Sequence, residues 1–435
     1  MPATPDQIKH LLSRTGVRVV ASRLAQLTQV ELAQAVDMVC DFSANPALVV
    51  PPVPSSNDTA WMRGVRNDWM DRLANLPNPL HAKLVLFWHG HFANSNGKVG
   101  SAPFMVQQYQ TISQYADGPF ESLAQALALD PAMLVYLDNR SNVRRSPNEN
   151  FARELLELFT LGDGRGYTEQ DVVEVARAWT GYGLNSDSTT FAFNAGNHDT
   201  GNKTIFGITR AWRGPEVITE ICTGTRRRTC AEYLARKLWE FFAYENSDAS
   251  LLSSLADDME AEGMHTLNFL RRMFKRVEFY SPQSMQGRVK SPMEWVASVI
   301  GSVGLGAASI DAASATITAG HEFFYPPGVD GWKLNEVWIN ETTTWALDRF
   351  ARATAYNAGD NPNLAPTARA LLQSVPTLSV TAAVTAVADL FGLTLSAGTR
   401  QALEVWLTGM RGQNRPRQGG QLVRLMSMTT EARLA

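Results

Sequence analysis

Residues 146–183 read SPNENFARELLELFTLGDGRGYTEQDVVEVARAWTGYG. Ser146 is a candidate N-cap, Pro147 sits at the first helical position, and Glu149 stands where a capping box would close. Phe151, Ala152, Leu155, Leu156, Leu158 and Phe159 recur at helical spacing and fill one side. Glu149, Asn150, Arg153, Glu154 and Glu157 share the other. Gly162, Gly164 and Gly166 stop that helix. Thr168 and Asp171 then form a second capping box, and a second helix runs to about Gly181.

Upstream lies LHAKLVLFWHGHFAN, residues 80–94. Leu84 to Trp88 are apolar on every side, the mark of a buried helix, so a rod near residues 79–92 is expected to pack against the pair. Thr4 with Gln7, Thr28 with Glu31, Thr229 with Glu232 and Ser291 with Glu294 repeat the capping formula. Residues 57–75 place Trp61, Val65, Trp69 and Leu73 on one helical side, and the Pro-rich stretch 45–56 reads as a packed connector. Phe191 and Phe193 alternate with small residues, and Thr204, Ile205 and Phe206 answer them across NAGNHDTGNK, which predicts a β-hairpin. The expected fold is mainly α: a multi-helical orthogonal array with one small β-hairpin. It spans residues 1–435 as a single domain, with a semi-separate C-terminal helical portion from about residue 341 as the alternative.

The formal net charge of −3 argues against nucleic acid as the main partner, since such binding needs clustered Lys and Arg. Cys40, Cys222 and Cys230 form no C-x-x-C and read as buried free thiols. The chain has no run long enough to span a bilayer and no apolar leader, so a cytoplasmic protein, or an exported one with its signal removed, is expected. Nucleophile-elbow, Walker, H-E-x-x-H and G-x-G-x-x-G patterns are missing.

NENFARELLELFTLG followed by GYTEQDVVEVARAWTGY resembles the signature of the bacterial family catalogued as domain of unknown function 1800 (DUF1800). LVLFWHGHFANSNGKV before it, and NHDTGNKTIFG, GRVKSPMEW and FFYPPGVDGW after it, fall in that family's order and cover most of the chain. The resemblance implies no particular reaction.

Four groups are candidates for chemistry. Glu149, Glu154 and Glu157 with Arg153 and Asn150 make a charged strip two turns long, suited to acid/base work or a hard cation. The same strip also reads as a solvated face with a Glu–Arg pair. His89 and His91 flank Gly90 in a buried segment, as ligands, bases or core groups; on a helix they point apart. His198 and Asp199 sit on the hairpin loop, where an Asx-type turn explains Asp199 equally well. Arg227 and Arg228 precede a helix start and would suit an anion, or simply water. If His198 reaches His89, His91 and Glu157, a divalent metal site is expected. The leading functional expectation is a hydrolase or lyase acting on a polar small molecule or glycan. Glu154 or Glu157 would be the acid or base, Arg153 would orient the substrate, and His89 and His198 would assist. The alternative is a non-catalytic binding or scaffold protein whose charged strip and hairpin loop meet a protein partner.

Overall fold

A computed structural model describes residues 3–47, 59–285, 287–355, 361–412 and 417–435. Among these the chain is mainly α, with twenty-three α-helices and two short antiparallel hairpins. No described helix is long and apolar enough to cross a membrane. Most of the Pro-rich stretch 45–56 lies outside the described residues.

Helix α1 (Pro5–Thr15) carries the expected reciprocal Thr4–Gln7 cap. Helix α2 (Thr59–Asn75) buries Val65, Trp69 and Leu73. Helix α3 (Leu80–His91) is the central rod: ten of its twelve residues are buried, and Lys83 is one of them. Thr28 does not open a helix. It closes the short helix Ala21–Leu27, and the next begins at Leu32 behind Glu31.

Helix α4 (Asn150–Glu154) starts later than its sequence suggests. The Ser146 N–H donates to Val143 O in a turn, Asn148 Oδ1 accepts the Asn150 N–H, and Glu149 gives its carboxylate to Arg153 instead of to a cap. The helix widens into a π-turn over Leu155–Thr160 and stops at Gly162, Gly164 and Gly166, whose φ values are +92°, +63° and +73°. Helix α5 (Glu169–Ala178) carries the expected Thr168–Asp171 box.

The single hairpin is corrected to two. Strand β1 (Tyr182–Leu184) pairs with β2 (Phe191–Phe193), and β3 (Lys203–Ile205) pairs with β4 (Ile208–Arg210). Phe206 and Gly207 both have positive φ, the geometry of a two-residue hairpin turn. Asp171 accepts the Phe206 N–H at 2.7 Å and steadies this conformation.

Helix α6 (Arg227–Phe242) begins two residues before Thr229, so the Thr229–Glu232 box does not form. Helix α7 (Pro292–Val303) has the Ser291–Glu294 box and buries all twelve of its residues. Helix α8 (Glu341–Ala355) meets it through Phe350 against Trp295. Trp69, Trp88, Trp179, Trp212, Trp239 and Trp295 are fully buried. Each contributes on the order of 4–6 kcal/mol from the area it removes from water. More than half of the eleven tryptophans are therefore core, not a sugar platform.

Candidate active site

The expected site residues go to separate places. Arg153 bonds Glu149 at 3.3 Å and Glu169 at 2.8 Å, and all three side chains are substantially exposed. Such pairs contribute about 0–1 kcal/mol. Glu154 is half-buried, and burial, then the neighbouring Glu157, pushes its carboxyl upward. Asn150 opens α4 and takes Asn148 as its N–H acceptor.

His198 donates from Nδ1 to Thr180 O at 2.8 Å, and Asp199 is held by Arg177 at 2.8 Å. Lys203 is spent on the carbonyls of Asp199 and Gly201. The hairpin loop thus locks onto the end of α5. Arg227 and Arg228 meet Glu260, and Arg228 also meets Glu232 and Asp257. Their charges are met by carboxylates, which removes the case for an anion there.

The metal set His89, His91, His198 and Glu157 is not assembled. Among the described residues no group of three or more His, Cys, Asp and Glu is placed to hold a metal ion. His89 lies between Phe323, with ring centroids 4.2 Å apart, and Trp332 at 5.4 Å. His91 turns to the other side of α3 and bonds Phe159 O at 2.9 Å through Nε2. A carbonyl only accepts, so Nε2 carries the proton and Nδ1 keeps a lone pair. The π-turn leaves Phe159 O open to a side chain; π-turns inside helices often mark functional sites.

Three signature segments nevertheless converge. The His91 end of α3, the 287–295 segment and the 323–332 aromatic loop join α6 around a cavity of about 90 Å³. Its walls include Phe87, Phe241, Trp332 and Trp338; its polar lining includes His91, Lys237, Glu240, Arg288, His321 and Asp330, the last met by Lys333 at 3.2 Å. His91 Nδ1, His321 Nδ1, Arg288 Nε and Trp332 Nε1 are buried without a partner, as are both ring nitrogens of His89 behind Trp332. Buried polar atoms are nearly always satisfied, so these orphans give one cavity an unusual capacity for hydrogen bonds to a small polar molecule. Burial holds His91 and His321 down to about 3, so both imidazoles are neutral acceptors. Burial also lowers Lys237 and raises Glu240.

Arg288 is fixed from behind. Its guanidinium meets the Glu294 carboxylate at 2.8 and 2.9 Å, and Lys83 reaches the same carboxylate at 3.1 Å. Arg14 and Lys290 complete a buried cationic centre about this one carboxylate. Lys83 is a charge inside an apolar rod, the one signal of this centre that the sequence holds. Glu294 was visible only as a capping residue, and Lys237, Glu240 and His321 carried no local signal.

Gly331 closes the site. Its φ is +75°, and a Cβ there would meet Gly90 O at 2.1 Å. Gly331→Ala is expected to cost about 1–3 kcal/mol. Gly90→Ala, whose Cβ meets only Trp332 at 3.7 Å, should cost nothing or gain slightly. Thermal unfolding of the two variants checks this, and equal losses would refute the close approach.

The chain belongs to the family of proteins of unknown function DUF1800, whose model matches residues 2–433. No curated protein and no solved structure matches it.

Proposed function

We propose that this DUF1800 protein is an enzyme of the lyase or hydrolase type, using acid/base chemistry in the cavity walled by α3, α6 and the aromatic loop. The supporting observation is the convergence of orphaned buried polar atoms with two oppositely shifted ionisable groups on one cavity. Perturbed groups in a cleft are a recognised sign of catalysis. Lys237 and Glu240 stand three residues apart on α6, hence on one face. Burial favours the neutral form of each, the free amine of Lys237 and the acid of Glu240, and Arg236 at 3.6 Å from Glu240 opposes the second.

The reading favours elimination over hydrolysis because a clamped guanidinium faces the same cavity as the base. Arg288 would hold a substrate carboxylate, Lys237 in its neutral form would take the proton from the adjacent carbon, and Glu240 in its acid form would protonate the departing oxygen. One C–H and one C–O bond break and one C=C bond forms, so the step balances without water. His91 Nδ1 would accept from a substrate hydroxyl. The substrate class is a polar, carboxylate-bearing molecule, such as the end of a uronic-acid glycan. Glu154 and Glu157 then supply an acidic flank near Asp330, not the reacting groups.

A panel of polyuronates and aryl esters tests the reading, with the ultraviolet absorbance of the new double bond separating elimination from hydrolysis. Lys237→Met and Glu240→Gln should each lower turnover by about 10²–10⁴-fold. Glu157→Gln and His198→Ala should stay near wild type. Unchanged turnover in Lys237→Met would sink the assignment. One observation favours a second reading, a binding protein without turnover: about 90 Å³ is small beside ordinary ligand sites. Saturable binding of a panel member with no product would establish it.

A further inference from the structure

A second cleft lies on the other side of the buried cationic centre. It has a volume of about 420 Å³, within the usual range for small-molecule sites, and opens between α1 and residues 391–396. Its polar lining includes Lys9, Arg18 and Lys290, with Asp6, His10 and Glu431. Val19, Phe391 and Leu393 supply apolar walls.

The charges behind this cleft do not balance. Among the described residues Arg14, Lys83, Arg288 and Lys290 are buried around Glu294, four basic side chains to one carboxylate. Glu294 is taken by Arg288 and Lys83. Lys290 makes no ion pair among the described residues; its Nζ has Ala432 O at 3.1 Å. Three ammonium protons on one carbonyl are undersupplied.

Arg18 is placed similarly. Its Nε donates to Ala74 O at 3.2 Å, and it makes no ion pair among the described residues. A narrow recess continues inward between Arg18 and Lys290, lined by Ser298, Ser302 and Ser427, and Ser302 Oγ is buried without a partner. The side-chain carboxylates at the cleft do not answer these cations. Glu431 accepts from Ser396 N at 2.9 Å and Thr399 Oγ1 at 3.3 Å, while Asp6 lies in the exposed first turn of α1. His10 is occupied by Ser284 Oγ. Lys9 at the mouth has Thr394 Oγ1 at 2.6 Å.

We propose that this cleft binds a phosphate monoester, its dianionic group held between Arg18 and Lys290 with Lys9 at the mouth. A dianion matches the two charges of Arg18 and Lys290 at the cleft wall, which a single carboxylate cannot do. Guanidinium and ammonium donors are the side chains that hold phosphate oxygens. The apolar walls take the body of the ester.

Calorimetric titration of the whole chain with inorganic phosphate and with glycerol 3-phosphate tests this, at constant ionic strength in a chloride background. Saturable binding is expected for at least one of them, with acetate much weaker. Arg18→Gln alters a partly buried side chain that makes no ion pair among the described residues, and should keep the fold; its phosphate affinity should fall by about tenfold or more. Lys290→Gln should do the same, and where it fails to fold, Arg18→Gln decides. No saturable phosphate or ester binding by wild type, unchanged affinity in Arg18→Gln, or acetate binding as tightly as phosphate would each overturn the proposal.

Discussion

Glu294→Gln is expected to destabilise the protein by about 3–5 kcal/mol, because it removes the carboxylate that holds two buried cations. The Arg288 guanidinium lies at 2.8 and 2.9 Å from its two oxygens, and Lys83 Nζ lies at 3.1 Å. Burial alone would raise this carboxyl, but Arg288 and Lys83 overcome that and hold it well below the usual carboxylate range. Glutamine keeps the shape and loses the charge. Its amide nitrogen is also a donor where only an acceptor fits. Lys83 feels the strain first: burial has already lowered it to about 7, and Glu294 is the group that opposes this. Against a typical stability of about 5–15 kcal/mol the loss is severe.

Denaturant unfolding of Glu294→Gln, Lys83→Met and the double variant measures the effect. Removing Lys83 in the Glu294→Gln background should recover more than about 1 kcal/mol relative to additivity, because one unmatched charge goes with it. A single Glu294→Gln variant that unfolds within about 0.5 kcal/mol of wild type would refute the buried cluster. The same substitution frees Arg288 from its clamp. The loss of orientation should therefore reach the cavity even where the fold survives.

The frame was legible because caps and stops are local. Thr4–Gln7, Thr168–Asp171 and Ser291–Glu294 all formed as their spacing implied. The formula failed at Thr28, Ser146 and Thr229 for a common reason: it records which side chains could cap, not where the preceding chain is heading. Thr28 already ends a helix, Ser146 sits in a turn, and α6 had begun before Thr229. The aromatic alternation at Phe191 and Phe193 identified a real strand. Its partner β1 starts directly after Gly181, the residue where the second helix was expected to end, and three residues are too few to show an alternation of their own.

The candidate site was less legible, because it is made of distances. GRVKSPMEW and FFYPPGVDGW were visible as signature segments, yet nothing in them reveals that Arg288 and Trp332 wall one cavity with His91. The charged strip on α4 drew attention because its residues are adjacent in sequence, and adjacency favours the exposed ion pairs seen there. One clue in the sequence was of the right kind. Lys83, on an otherwise apolar rod, had to be matched by something buried, and the match is Glu294.

Lowering the pH from about 7 to 5 is expected to remove on the order of 5 kcal/mol of stability, through imidazoles that cannot take up protons while folded. Burial holds His10, His89, His91 and His321 down to about 3, against 6.5 for a free imidazole. Above 6.5 these groups are neutral in both states and cost nothing. Below 6.5 the unfolded chain binds four protons that the folded chain refuses, so stability falls, and the loss continues until pH nears 3. Asp130 opposes this: burial raises it to about 7, so the folded state holds one proton more there. Four minus one leaves three, a slope of about 4 kcal/mol per pH unit at full development. Lys83 and Lys290, lowered to about 7 and about 8, complete their protonation near the top of this range and add a smaller loss of the same sign above about pH 6. Thermal unfolding from pH 8 to pH 4.5 should show the melting temperature dropping steeply below about pH 6. His89→Phe separates the terms. Neither ring nitrogen of His89 has a partner, and the ring lies between Phe323 and Trp332, so phenylalanine should be neutral or stabilising at pH 8. At pH 5 it should restore about 2 kcal/mol relative to wild type. An unchanged acid slope would mean that His89 is hydrated and protonates freely. A gain in stability joined to a loss of turnover would mark the orphaned imidazole as retained for the chemistry of the neighbouring cavity, not for the fold.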